Sequence, residues 1–139
     1  MFSHETQYRV CYGDTDQMGV VYYGNYPRLY EIGRTELMRD LGLSYKEIED
    51  EGIALPVISL NVNYHRPAKY DEVLCIRTTI KEIPNSRIQF FYEILNEEGK
   101  RINTGDTVLV FIDRKSQRPT RAPKNIMQLF QNKIEQEKQ

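Results

Sequence analysis

The feature that most constrains this chain of 139 residues is a change of period: one long stretch with helical spacing precedes four strand-like stretches with no helix between them. Over 26–41, Tyr26, Leu29, Tyr30, Ile32, Gly33, Leu37 and Leu41 recur at helical spacing, while Arg28, Arg34 and Arg39 face elsewhere. Asn25 reads as the N-cap, Pro27 fits only a first turn, and Gly42 is a natural stop. Gly33 in mid-helix costs about 1 kcal/mol against Ala, which predicts close packing of the helix on a sheet at that point. A short helix follows over 44–52, with Ser44 as cap and Glu47 in the box position.

Residues 57–65 then alternate, with Ile58, Leu60, Val62 and Tyr64 against Ser59, Asn61 and Asn63. The stretches "VLCIRTTIKEI" from 73, "RIQFFYEIL" from 87 and a last strand over 101–112 complete the run. "IPNSR" and "NEEGK" are short enough for antiparallel hairpins, and Pro67 keeps "RPAKYDE" out of any central ladder position. A first strand over 7–12 and a final helix over 123–135, striped by Ile126, Phe130 and Ile134, frame this order. The whole predicts one α+β domain, 1–139, with a long helix on a five-stranded antiparallel sheet. One helix covers one sheet face, and Phe91, Leu109 and Phe111 sit on the alternate parity. A second subunit is the economical cover, which predicts a homodimer or homotetramer.

Composition excludes several functions. A net charge of −1 with 28% charged residues is too balanced for a general nucleic-acid binder. The N-terminal "MFSHETQYRV" lacks a basic region followed by an apolar stretch, and the runs "VVYY" and "VLVFI" are too short to span a bilayer, so a cytoplasmic chain without membrane insertion is expected. Cys11 and Cys75 read as buried reduced thiols, and neither they nor His4 and His65 fall at metal-ligand spacing. No metal and no cofactor are expected. No GxSxG, GxxxxGK[ST] or GxGxxG occurs.

"YGDTDQMGVVYYGNYPRLYEIGRTELMR", 12–39, carries the functional signal. It resembles the signature of the 4-hydroxybenzoyl-CoA thioesterase family of the hot-dog fold, where an Asp-x-Asp-x-x-Gly-(Val/Ile)-Val-Tyr stretch leads into a central helix wrapped by an antiparallel sheet. It is also similar to the Tol-Pal-associated acyl-CoA thioesterases, through Tyr30, Glu31, Arg34, Thr35 and Glu36. The resemblance implies a hot-dog fold with a C-terminal helix, hydrolysis of a CoA thioester, and Asp16 as the catalytic carboxylate. It also makes the Tyr23 backbone N–H the oxyanion donor, at a position where the envelope-associated relatives carry His.

The chemistry of the run stands beside that resemblance. A carboxylate attacks a thioester as nucleophile or activates water as general base, and the unpaired first amides of a helix offer an oxyanion site. Gly24 would let substrate approach the backbone, with Tyr22, Asn25 and Tyr26 alongside it as substrate-binding candidates. Asp14 reads as the turn-organising partner, and Glu31 and Glu36 as i,i+3 partners of Arg34 and Arg39. Arg66, Lys69, Arg114 and Lys115 are candidates for CoA phosphates, with an acyl-carrier-protein thioester as the other possible partner. Two rival functions remain at this point: a non-catalytic acyl-CoA or acyl-carrier-protein binding module, and a hydratase or dehydratase. The second needs a His acting with a carboxylate, and neither His4 nor His65 lies in the motif.

Overall fold

The computed structural model describes residues 1–138. Its elements are β1 (Phe2–Arg9), α1 (Tyr26–Asp40), α2 (Tyr45–Asp50), β2 (Ile53–Ala54), β3 (Val57–Tyr64), β4 (Val73–Ile80), β5 (Arg87–Leu95), β6 (Arg101–Val110), β7 (Ile112–Asp113), β8 (Arg118–Pro119) and α3 (Lys124–Glu137). Five strands form one antiparallel sheet in the order β1-β4-β5-β6-β3, and α1 lies on its inner face against β1, β4 and β5. Among the described residues no helix is long and apolar enough to cross a membrane.

The close approach expected at Gly33 is present. A Cβ there would collide with Thr78 Oγ1 and sit 2.8 Å from Ile76 Cγ2, so the missing side chain lets α1 settle onto β4. Leu29, Tyr30, Leu37 and Met38 of α1 are buried against Leu74, Ile76, Phe90 and Ile94 of the sheet. The stripe Ile126, Phe130 and Ile134 of α3 is buried as expected, and the Phe130 ring stands 6.2 Å from that of Phe2 on β1.

Several expectations are corrected. The first strand lies at Phe2–Arg9 rather than 7–12, because the Asp14 carboxylate captures the Cys11 N–H and turns the chain into a 3₁₀ turn over Tyr12–Asp14. The last strand divides: β6 stays in the main sheet, Phe111 is buried, and β7 joins β2 and β8 in a second, three-stranded sheet. Arg34 does not face away from the core. It is only 9% exposed, its Nε donates to Tyr45 Oη at 3.0 Å, and its Nη1 reaches Tyr92 Oη at 3.5 Å. Glu36 pairs with Arg39 as expected, whereas Glu31 does not hold Arg34. Cys11 is exposed and Cys75 half-buried; both thiols are free.

The face left bare also differs. Leu109 and Phe111 are buried, and of the three apolar residues assigned to the outer face only Phe91 lies there. That face instead carries an ion-pair ladder across strands, Glu5–Arg77–Glu93–Arg101, with N–O distances of 2.8–2.9 Å. Uncovered apolar surface lies instead along β3, the edge strand that α1 touches through Tyr26 at its Tyr64 end, where Val57, Ile58, Leu60 and Tyr64 are all more than 40% exposed.

Candidate active site

Asp14 and Asp16 stand two residues apart and meet opposite surroundings. Asp14 is buried; its Oδ2 accepts from Tyr8 Oη (2.7 Å) and the Cys11 amide (2.8 Å), and its Oδ1 from Arg28 Nη2 (2.7 Å). Burial alone would raise this carboxyl, but the bonds from Tyr8, Cys11 and Arg28, together with the Arg28 charge, hold it below the usual carboxylate range. Its carbonyl accepts from the Tyr22 amide (2.8 Å) and from Asn25 Nδ2 (2.9 Å). Asp14 therefore ties β1, the loop and the start of α1 together.

Asp16 is half-buried in a tight turn. Its Oδ1 accepts from the Met18 amide at 2.9 Å, its carbonyl accepts from Gly19 N–H, and Gly19 adopts φ +80°, which its missing side chain permits. Oδ2 of Asp16 has no hydrogen-bond partner among the described residues. The turn returns through Val20, whose carbonyl accepts from the Asp16 amide at 2.9 Å.

Val20 and Val21 form one wall of a cavity of about 330 Å³, completed by Tyr23, Tyr26, Tyr64, His65, Arg66 and Pro67. The loop after β3 is fastened to this wall, since Val21 N–H donates to the Ala68 carbonyl (2.8 Å) and Val20 bridges Lys69. Tyr26 is buried, which pushes its hydroxyl up to about 12, so it is neutral at physiological pH. Tyr23 is 63% exposed and Tyr22 lies against it, ring centroids 4.6 Å apart.

The start of α1 departs from the expected cap. Asn25 has helical angles and its side chain is committed to Asp14, because a 3₁₀ turn over Tyr23–Asn25 extends the helix backwards. The Tyr23 and Gly24 amides consequently head the helix, and neither donates to a carbonyl or side chain among the described residues. A Cβ on Gly24 would meet the Tyr22 ring at 2.6 Å.

The structure thus brings Asp16, Tyr23, Tyr26, Arg66 and Lys69 to one end of α1. It does not bring Arg114 and Lys115 there: they follow β7, where the Arg114 amide donates to the Gly52 carbonyl at 3.0 Å, beside α2. Tyr64 and His65 are cavity residues that strand alternation alone left unremarked; the parity of Tyr64 on the inner face was the available signal. His65 Nε2 lies 2.9 Å from Thr104 Oγ1.

Comparison with known proteins decides the family. The model of the thioesterase-like superfamily matches residues 10–130. The chain belongs to this superfamily. A Bacillus subtilis relative described as a putative acyl-CoA thioesterase, YneP, is 33% identical over 119 residues, 86% of each chain. The acyl-CoA thioester hydrolase YbgC of Escherichia coli is 34% identical over 122 residues, covering 88% of this chain and 91% of its own. Among solved structures, DHNA-CoA thioesterase from Staphylococcus aureus superposes with a TM-score of 0.83 at 37% identity, over 87% of this chain and 81% of that one. A 4-hydroxybenzoyl-CoA thioesterase with an aspartate-to-asparagine mutation, complexed with 4-hydroxybenzoyl-CoA, superposes with a TM-score of 0.81 at 26% identity, over 91% and 97%. The sheet wrapped on α1 is thus the hot-dog fold of these thioesterases.

Proposed function

We propose that this thioesterase hydrolyses an acyl-CoA ester to the free acid and CoA at the N-terminal end of α1, with Asp16 as the reacting carboxylate. The observation that carries the reading is the contrast within the loop: both carboxylate oxygens of Asp14 accept from protein donors, while Asp16 keeps Oδ2 open and is tied through its amide to Val20 of the cavity wall. Relatives of this chain described as acyl-CoA thioester hydrolases support the substrate class. With the acyl group among Tyr23, Tyr26 and Tyr64, the thioester carbonyl would meet the Tyr23 N–H, where the helix dipole favours developing negative charge.

Two routes lead from there. As nucleophile, Asp16 adds to the carbonyl carbon, the CoA thiolate leaves, and water opens the resulting anhydride. As general base, Asp16 takes a proton from water, the hydroxide adds, and the thiolate departs with that proton. Neither route calls on a metal or cofactor. Arg66 and Lys69 stand where they would meet the negative end of CoA, and an acyl-carrier-protein thioester presents the same reacting group. We place the protein in the cytoplasm, where CoA esters are made and consumed.

The proposal includes a homodimer, or a pair of them, because the free edge of β3 carries both unpaired backbone groups and uncovered apolar side chains. Light scattering at micromolar concentration should give a multiple of 16.4 kDa; a monomer mass would count against it.

Asp16→Asn tests the catalytic assignment, since it keeps size but removes the charge and the proton acceptor. A fall in kcat of roughly 10²–10⁴ with the ester still bound is expected. Near wild-type turnover would move the role to another carboxylate.

A further inference from the structure

We infer that Tyr64 is a positioning residue for thioester hydrolysis, whose hydroxyl polarises the Tyr23–Gly24 peptide and recruits the Gly24 N–H as a second oxyanion donor. The inference rests on the reading of the α1 N-terminus as the oxyanion site.

The Tyr64 Oη donates to the Tyr23 carbonyl at 2.9 Å. That carbonyl and the Gly24 N–H belong to one peptide group, so a donor on the oxygen draws charge through the amide and makes its N–H a stronger donor. Pro27, four residues after Tyr23, has no N–H to give this carbonyl an α-helical bond, so the helix meets it only through the 3₁₀ turn over Tyr23–Asn25. The Tyr64 side chain adds a second donor from β3. The Gly24 N–H itself has no acceptor in the protein among the described residues, and it follows the Tyr23 N–H in the same helical turn, where successive amides point toward the helix start.

The phenol is held for this bond. Tyr64 is 54% exposed, yet its ring packs edge-on against Tyr23 (6.4 Å, 86°) and Tyr26 (5.6 Å, 74°). It also lines the cavity beside the proposed acyl site. A tyrosine kept only for packing would need no hydroxyl directed at the first turn of α1.

Tyr64→Phe keeps the ring and its edge contacts and deletes the bond. A single oxyanion donor is worth about 10²–10³ in kcat, and polarisation strengthens such a bond by a fraction, so kcat should fall about 3–10-fold. KM should stay within about twofold, because the contact strengthens only as the oxyanion forms. The spectroscopic counterpart uses phenacyl-CoA labelled with ¹³C at its carbonyl, a ketone that cannot be hydrolysed. Its carbonyl stretch should shift to lower frequency on binding the parent protein, and shift less on binding Tyr64→Phe. An unchanged kcat with an unchanged stretch overturns the inference, as does a loss confined to KM or to the melting temperature. The two assignments fail separately. Asp16→Asn that keeps turnover while Tyr64→Phe slows it removes only Asp16, and the reverse pattern removes only Tyr64.

Discussion

At the N-terminal end of α1, two amides and one carboxylate oxygen stand without hydrogen-bond partners among the described residues, beside the exposed rings of Tyr22 and Tyr23. Farther along the same helix, the guanidinium of Arg34 is closed in by the hydroxyls of Tyr45 and Tyr92, and Tyr92 in turn bonds Thr107 at 2.6 Å. Burial pushes the Tyr92 hydroxyl up to about 12, so this cluster holds one fixed charge near neutral pH. The same helix therefore spends its polar groups on folding at one place and leaves them free at another. Unsatisfied groups are costly when buried, and they persist here at the rim of a cavity where water or substrate can meet them.

If that division holds, changes at Arg34 should damage stability and spare chemistry. Arg34→Ala removes packed methylenes and leaves two tyrosine hydroxyls short of a donor, at an expected cost of about 2–4 kcal/mol in urea unfolding. Arg34→Met, similar in volume and without a charge to desolvate, should cost much less. Both should retain parental kcat under folding conditions; a large loss of turnover in Arg34→Met would break the comparison.

Asp14 lies on the folding side of the division despite its place in the motif. Asn in its place keeps one acceptor but turns an NH₂ group toward Tyr8 and Cys11 or toward Arg28, so Asp14→Asn should cost about 1–3 kcal/mol. The pH dependence has a definite sign. Because the folded carboxyl lies below its ordinary 3.8, its contribution is complete above that pH and is lost as pH falls through the folded value. Denaturant midpoints measured from pH 6 down to pH 3 should fall less steeply in Asp14→Asn than in the parent. Parallel curves would remove Asp14 from the stabilising group.

The smallest effect concerns the nucleotide. Replacing Arg66 and Lys69 together by Gln should raise KM about 3–10-fold with kcat nearly unchanged, since phosphate contacts are equal in ground and transition states. The same change at Arg114 and Lys115, which lie beside α2, should leave KM alone within one chain. A rise there as well would mean that a second copy brings its β7–β8 turn to the cavity.

Much of this architecture is legible in the order of periods. The spacing of Leu29, Gly33 and Leu37 gives the helix and its seat on β4, and alternation gives β3 to β6. What sequence hides is long-range. Nothing local tells that Arg34 meets Tyr92, 58 residues away, or that Tyr64 reaches back 41 residues to Tyr23. The Asn25 cap fails for a related reason: Ser/Asn/Asp preferences describe isolated helix starts, and the side chain is drawn away by the Asp14 carbonyl. Leu109 shares the inner parity of Asn103 and Thr107, opposite Ile88, Phe90 and Ile94 of β5, and Phe111 lies beyond the end of β6 at Val110 and is buried before β7 begins. The proposed site draws on local sequence at Asp16 and Tyr23, and on contacts from β3 that no local pattern announces.

Thiol release from a panel of short, long and aromatic CoA esters tests the central claim most directly. The account predicts sustained turnover on at least one ester, many thiols released per chain, with saturation in ester concentration. Saturable binding of the same esters with no thiol released would contradict it and make the cavity at α1 a binding site only.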